Sequence, residues 1–187
     1  MSNEAVRGRI RNFILDHVTL LQQPLLEVGS LLPDTGNGPA WWANNRNLVP
    51  YEFEWTGLDF QAGNNVDVVA DAEVHIPFKD NHFKTVLCSE VMEHLYKPWN
   101  ALKEMHRVLK PEGYIIITTL FSFPVHGYPD DYWRYTPSCM RKLLEDAGFT
   151  EIKVLTAGNV NYQLDNAGEG GVESKDAPMH IFAVARK

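Results

Sequence analysis

Apolar residues near the start of the chain recur at helical spacing. Val6, Ile10, Phe13, Ile14, His17 and Leu21 share one side of a helix predicted over residues 4 to 21, within an N-terminal segment 1–21 that Pro24 ends. The period then changes. Short, β-branched, almost continuously apolar runs occupy 24–28, 54–59, 66–70, 84–89 and 114–120, as expected of strands buried on both faces of a parallel sheet. Helical spacing returns over 98–110, where Ala101, Leu102, Met105, Val108 and Leu109 share a face and Pro98 suits a first turn. Pro111 and Gly113 stop that helix. Thr136 and Pro137 then read as an N-cap and first helical residue ahead of Met140, Leu143, Leu144 and Ala147, with Gly148 as the terminator.

The tail is different. EIKVLT (151–156) and HIFAVAR (180–186) read as strands, yet only the polar stretch NYQLDNAGEGGVESKD separates them. Two strands without a crossover helix imply an antiparallel pair at the sheet edge, and the 161–177 segment is expected to be a mobile loop. The whole pattern predicts an α/β fold: a three-layer αβα sandwich around a mostly parallel seven-stranded sheet with an antiparallel C-terminal strand. No internal repeat or linker divides the chain, so residues 1–187 read as one domain.

Charge narrows the partners. Seventeen lysine and arginine residues stand against 24 aspartate and glutamate residues, a formal net charge of −7. That balance disfavours nucleic acid, which needs clustered cations, and points to a small molecule. Cys88 and Cys139 have no C-x-x-C spacing and read as packed thiols of a reducing compartment. Glu4, Arg7, Arg9 and Arg11 leave no room for a signal-peptide core, and no apolar run is long enough to span a bilayer. A cytoplasmic chain with no membrane partner is therefore expected.

In an open parallel sheet, ligands bind beyond the carboxyl ends of the strands. Glu27, Gly29 and Ser30 follow the first strand, where a glycine lets backbone amides approach a ligand; a tight β-to-loop turn would use the same residues. Asp59, with Phe60 beside it, closes the second strand, placed to accept both hydroxyls of a ribose or to serve as a solvated cap. Asp71 and Ala72 follow the third. The acid can accept from an exocyclic amine while the next amide donates to a ring nitrogen, a pairing that reads adenine, although Asp71 also suits a turn. Glu90, Glu93 and His94 follow the fourth strand, and His94, with the one side chain of the three that ordinarily titrates near neutrality, is the candidate base. After the fifth comes FSFPVHGYPDDYWRYTP (121–137), aromatic enough either to wall an acceptor site or to pack down on its own rings. His126, Tyr128 and Arg134 are its candidate acceptor contacts, with Arg134 suited to clamp a carboxylate or phosphate. No zinc-type spacing, P-loop or G-x-S-x-G word occurs, so no metal is expected, and His75, His82, His106 and His180 receive no role.

Taken together, LLEVGS, TGLD, VADAE, PFKDNHFKTVLCSEVMEHL and ALKEMHRVLKPEGYIIITT, spread over about residues 24 to 155, resemble the class I S-adenosylmethionine-dependent methyltransferases of small-molecule type. The resemblance implies a Rossmann-like fold, S-adenosylmethionine as cofactor and methyl transfer to a small-molecule acceptor by a monomer or homodimer. It implies that Glu27 and Gly29 belong to the first motif, Asp59 to the ribose, Asp71 and Ala72 to adenine, and Glu90 to the turn after strand four. Three departures stand out. The later glycines of the first motif are Leu31 and Pro33, with a loop lengthened through Asp34, Gly36 and Gly38; one extra residue separates Asp71 from Pro77; and Lys84 replaces the usual aspartate. The first bears on the methionine end of the cofactor and keeps a second reading in play, a non-catalytic cofactor-binding module acting as sensor or partner subunit. A nicotinamide oxidoreductase, the third reading, lacks its G-x-G-x-x-G. Trp41 and Trp42 read as core or cofactor-flanking residues.

Overall fold

Alternation along the central strands gives the sheet two apolar faces, and each is covered by helix. The computed structural model describes residues 3–32, 44–50, 52–126, 130–166 and 171–187. Helix α1 (Asn3–Asp16) leads into β1 (Leu25–Val28), β2 (Trp55–Asp59), β3 (Val68–Val69) and β4 (Phe83–Ser89). Then come α2 (Pro98–Val108), β5 (Leu109–Leu120), α3 (Pro137–Asp146), β6 (Thr150–Asn166) and β7 (Gly171–Arg186). The sheet runs β3-β2-β1-β4-β5-β7-β6, with β7 antiparallel to both its neighbours and the other pairings parallel.

Leu26, Val86, Ile115 and Ala185 lie in one register row across β1, β4, β5 and β7. They pack with Ala101, Leu102 and Met105 of α2 and with Met140 and Leu144 of α3. The opposite row, Leu87, Ile116 and Val184, meets Ile10, Phe13 and Ile14 of α1, and Phe13 stacks on Phe182 at 4.5 Å. The expected three layers are thus present. Thr136 caps α3 by accepting from the Cys139 amide at 3.1 Å, and Gly148 follows the helix at φ +99°.

Four local expectations are corrected. Helix α1 stops at Asp16, where His17 turns its Nδ1 to the Phe13 carbonyl at 2.8 Å, and a short 3-10 turn, Val18–Leu20, follows. Strand β5 begins at Leu109, because the chain leaves α2 directly into pairing with Phe83 before the Pro111–Gly113 irregularity. The expected 161–177 loop is largely strand: Asn161 pairs with Asp176 and Gln163 with Ser174 in a continuing antiparallel ladder. Backbone ladder bonds need no apolar side chains, so a polar ribbon escapes a reading built on hydrophobic period. Cys88 is buried as expected, but Cys139 is exposed in the first turn of α3. Among the described residues, no helix is long and apolar enough to cross a membrane.

The segment after β3 is held from α2. Glu104 Oε2 accepts the Ile76 amide at 2.9 Å, while Arg107 donates to the carbonyls of Ile76 and Phe78 at 2.8 Å each and to Glu104 at 2.6 and 2.8 Å. The guanidinium of Arg107, opposed by partial burial, lowers the Glu104 carboxyl to about 2. A carboxyl depressed in the folded state stabilises it above its ordinary value of 4.5 and loses that contribution as pH falls toward 2. Urea unfolding should therefore show stability declining from pH 5 to pH 2, with a flatter acid limb in Glu104→Gln. Arg107→Ala should cost about 2–3 kcal/mol at neutral pH, the scale of lost charge-assisted hydrogen bonds.

Candidate functional site

One cavity of about 1210 Å³ opens at the carboxyl ends of β1, β2 and β4. At the β1 end, Gly29 has φ +76°, and a Cβ there would lie 2.1 Å from Val91 Cγ2, so glycine is required on two counts. The amides of Gly29 and Ser30 donate to the Leu58 carbonyl at 2.8 and 3.1 Å. They are spent on β2, a correction to the expectation that they would reach a ligand; what Gly29 gives the cavity is a wall without a side chain. Glu27 is buried and accepts from Asn45, Trp55 and Asn65 at 2.8, 3.1 and 3.3 Å, while Asn65 also donates to the Ser30 carbonyl at 2.9 Å. Burial outweighs these neutral donors and raises the Glu27 carboxyl to about 7. Glu27 thus acts through its partners, tying the turns around residues 45 and 65 to β1.

Asp59 is buried at the tip of β2, each carboxylate oxygen accepting one backbone amide: Leu31 at 3.1 Å and Gln61 at 3.1 Å. Two amides orient the carboxylate and leave lone pairs on both oxygens. Phe60 beside it is 48% exposed and lines the cavity, an aromatic face open to a planar ligand. Asp71 accepts from the Glu73 amide at 2.8 Å and from Val74 and His75 through its own carbonyl, as the turn reading expects, and it lines the cavity. Ala72 is buried behind it. Glu27, Gly29, Ser30, Asp59, Phe60, Asp71, Ala72 and Glu90 all line the same cavity.

At the far end stand residues from the β4 and β5 loops. Glu90 has φ +55° and lies 3.6 Å from the buried His180 Nε2, a neighbour whose distance along the chain hid it from sequence reading. Glu93 is fully buried. Its Oε2 accepts from the Thr119 hydroxyl at 2.7 Å, and its main-chain carbonyl accepts the amides of Tyr132 and Trp133 at 2.8 and 3.3 Å. Burial first, then the neighbouring Glu90, raises the Glu93 carboxyl to about 8. His94 directs Nδ1 at the Asp130 carbonyl (2.5 Å), leaving Nε2 4.0 Å from Glu93 Oε1. His126 packs edge-on against the His94 ring at 5.0 Å, with Nδ1 3.0 Å from Asp131 Oδ2.

The described residues of the aromatic 121–137 segment divide between the cavity lining and the packing of the segment itself. Phe123, His126 and Tyr132 face the cavity. Tyr135 and Trp133 instead fasten the segment, donating to the carbonyls of Met92 and Leu95 at 2.8 Å each. Arg134, read as a clamp for the acceptor, does not line the cavity. It pairs with Asp131 and donates to the carbonyls of Phe123, Pro124 and Trp133 at 3.1, 3.1 and 2.7 Å, holding the Asp131 carboxyl far below its usual range. A side chain with five donors is drawn to the nearest buried carboxylate and turned-in carbonyls, which sequence order alone does not display. Tyr128 lies outside the described residues, as do Asp34, Gly36, Gly38, Trp41 and Trp42. Tyr132, unassigned from sequence, is the tyrosine placed in the wall.

Comparison with known proteins bears on the family and the fold. A family model described as a methyltransferase domain matches residues 36–117. An uncharacterized methyltransferase of Mycobacterium tuberculosis is 30% identical over 112 residues, 54% of this chain and 44% of that protein. A demethylmenaquinone methyltransferase of Staphylococcus haemolyticus is 34% identical over 104 residues, 49% of this chain and 44% of that one. The chain thus spans under half the length of these curated relatives. The crystal structure of a SAM-dependent methyltransferase from Archaeoglobus fulgidus shares the fold with a TM-score of 0.65 and 14% identity, covering 97% of this chain and 94% of that one.

Replacing Gly29 by alanine should lower stability by about 1–2 kcal/mol from the left-handed backbone alone, and further through the contact with Val91. In thermal melts, Val91→Ala should recover the contact part in the double variant and leave the backbone part. An unchanged melting temperature in Gly29→Ala would contradict the strained turn.

Proposed function

We propose that this chain is a class I S-adenosylmethionine-dependent methyltransferase that binds S-adenosylmethionine in this cavity and transfers its methyl group to a small-molecule acceptor. The observation that carries the reading is the convergence of Asp59, Asp71–Ala72 and Gly29 on one cavity from three neighbouring strand tips. Asp59 offers two oriented oxygens to the ribose hydroxyls. Asp71 and the Ala72 amide take the adenine edge, and Phe60 covers its face. Gly29 and Glu90 would hold the methionine end, and Phe123, His126 and Tyr132 would wall the acceptor.

The sulfonium already carries a good leaving group, so the chain's task is placement. The acceptor's lone pair forms a bond to the methyl carbon as the sulfur–methyl bond breaks; its electrons return to sulfur and yield S-adenosylhomocysteine. A proton carried by the accepting atom is released. Holding the two partners in line supplies about 7–11 kcal/mol of the barrier. Aromatic side chains around the far end exclude water, and relatives named demethylmenaquinone methyltransferase support a small molecule as the acceptor.

One observation favours a second reading, a cofactor-binding module without turnover: the Gly29 and Ser30 amides are committed to Leu58 instead of facing the cavity. Calorimetry with S-adenosylhomocysteine tests the cofactor site. Wild type should bind it, and Asp59→Ala should bind at least tenfold more weakly, about 1.4 kcal/mol. No heat in the wild type, or an unchanged affinity in Asp59→Ala, would overturn the assignment. Binding without methyl transfer across a panel of small acceptors would select the module. Arg134→Ala should reduce turnover by loosening the segment, with a lower melting temperature as its companion.

A further inference from the structure

We infer that Glu93, His94 and His126 form a binding site for one divalent transition-metal cation at the acceptor end of the cavity. One ligand atom from each of the three lies within 4.8 Å of the others. They come from the turn after β4 and from the aromatic segment after β5, so no local spacing in the sequence announces them.

The hydrogen bonds around His94 and Glu93 fix which of their atoms remain for a cation. A main-chain carbonyl only accepts, so the Asp130 carbonyl requires the His94 hydrogen to sit on Nδ1, leaving Nε2 with its lone pair. The Asp131 carboxylate stands 3.0 Å from His126 Nδ1, and Arg134 in turn grips Asp131. An imidazole whose far nitrogen is held by a carbonyl or carboxylate is the usual setting of a metal-binding histidine. Glu93 supplies an independent sign. Its Oε2 is held by Thr119, while Oε1 is fully buried and has no hydrogen-bond partner among the described residues. That oxygen lies 4.0 Å from His94 Nε2. A buried carboxylate oxygen without a donor is costly, and a cation satisfies it.

Two neutral imidazoles and one carboxylate suit zinc, cobalt, manganese or ferrous ions; magnesium and calcium prefer oxygen alone. Bonds of about 2.0–2.2 Å require the three atoms to close up by about 1 Å. His126, 37% exposed at its side chain, has room to make that movement. The three ligands leave the ion's remaining positions toward the cavity. An ion so placed would gather an acceptor bearing two adjacent oxygens, such as a vicinal diol or a hydroxy acid. That acceptor class rests on the methyl-transfer reading; the cation site does not.

Cobalt(II) is the probe, added to chelator-treated protein and followed by visible absorbance and equilibrium dialysis. Wild type should take up one equivalent, displaced by zinc and not by magnesium. Glu93→Gln and His126→Ala should each bind at least tenfold more weakly while keeping the wild-type far-ultraviolet circular dichroism, and His75→Ala, outside the cavity, should bind as wild type does. Absence of saturable cobalt binding, or equal binding by wild type and both cluster variants, overturns the site. Calorimetry with S-adenosylhomocysteine on the same samples reports separately on the cofactor: its failure would sink the methyl-transfer reading and leave the cobalt result standing.

Discussion

Parallel pairing of a four-residue strand, Leu25–Val28, with β2 on one side and β4 on the other decides where the functional side chains go. The chain leaving β1 enters a gap between loops that turn to opposite sides of the sheet, and such a gap is where an open α/β fold takes its ligand. Gly29 must then pass beneath Val91, which only a residue without a Cβ in the left-handed region can do. The tips of β2 and β3 carry Asp59 and Asp71, and the tips of β4 and β5 carry the residues of the opposite wall. Burial of Leu26, Leu87 and Ile116 on the two faces fixes this register, because a slip by one residue would exchange the faces.

Carboxylates of similar sequence context end up doing different work because their partners differ. Glu27 and Glu104 are both hydrogen-bonded acids. Three neutral donors leave buried Glu27 raised to about 7, whereas one guanidinium takes the more accessible Glu104 down to about 2. Glu27 is therefore a hub that tolerates a proton, and Glu104 an anchor that needs its charge. Glu93 belongs with the first by burial, lines the cavity, and has one oxygen without a hydrogen-bond partner among the described residues.

The sheet was readable from sequence because buried parallel strands are continuous apolar runs, and the places of Asp59 and Asp71 on the cavity were readable from where those runs stop. Reading stopped where the determinant was not a local period. The ribbon at 161–166 and 171–177 is held by main-chain pairing among polar residues, so its composition resembles a loop. Arg134 carries the right chemistry for an anionic acceptor, but Asp131, three residues earlier, claims it. The contact of His94 with His126 and that of Glu90 with His180 depend on how β4, β5 and β7 align, which no spacing within one segment records.

Glu93 occupies an unusual double position. The residue lines the cavity, while its own peptide carbonyl receives the amides of Tyr132 and Trp133 from the aromatic segment. Cavity lining and aromatic segment thus share a single residue. A shift of the Glu93 peptide is therefore carried to the two amides bonded to it, which couples the cavity lining to that segment.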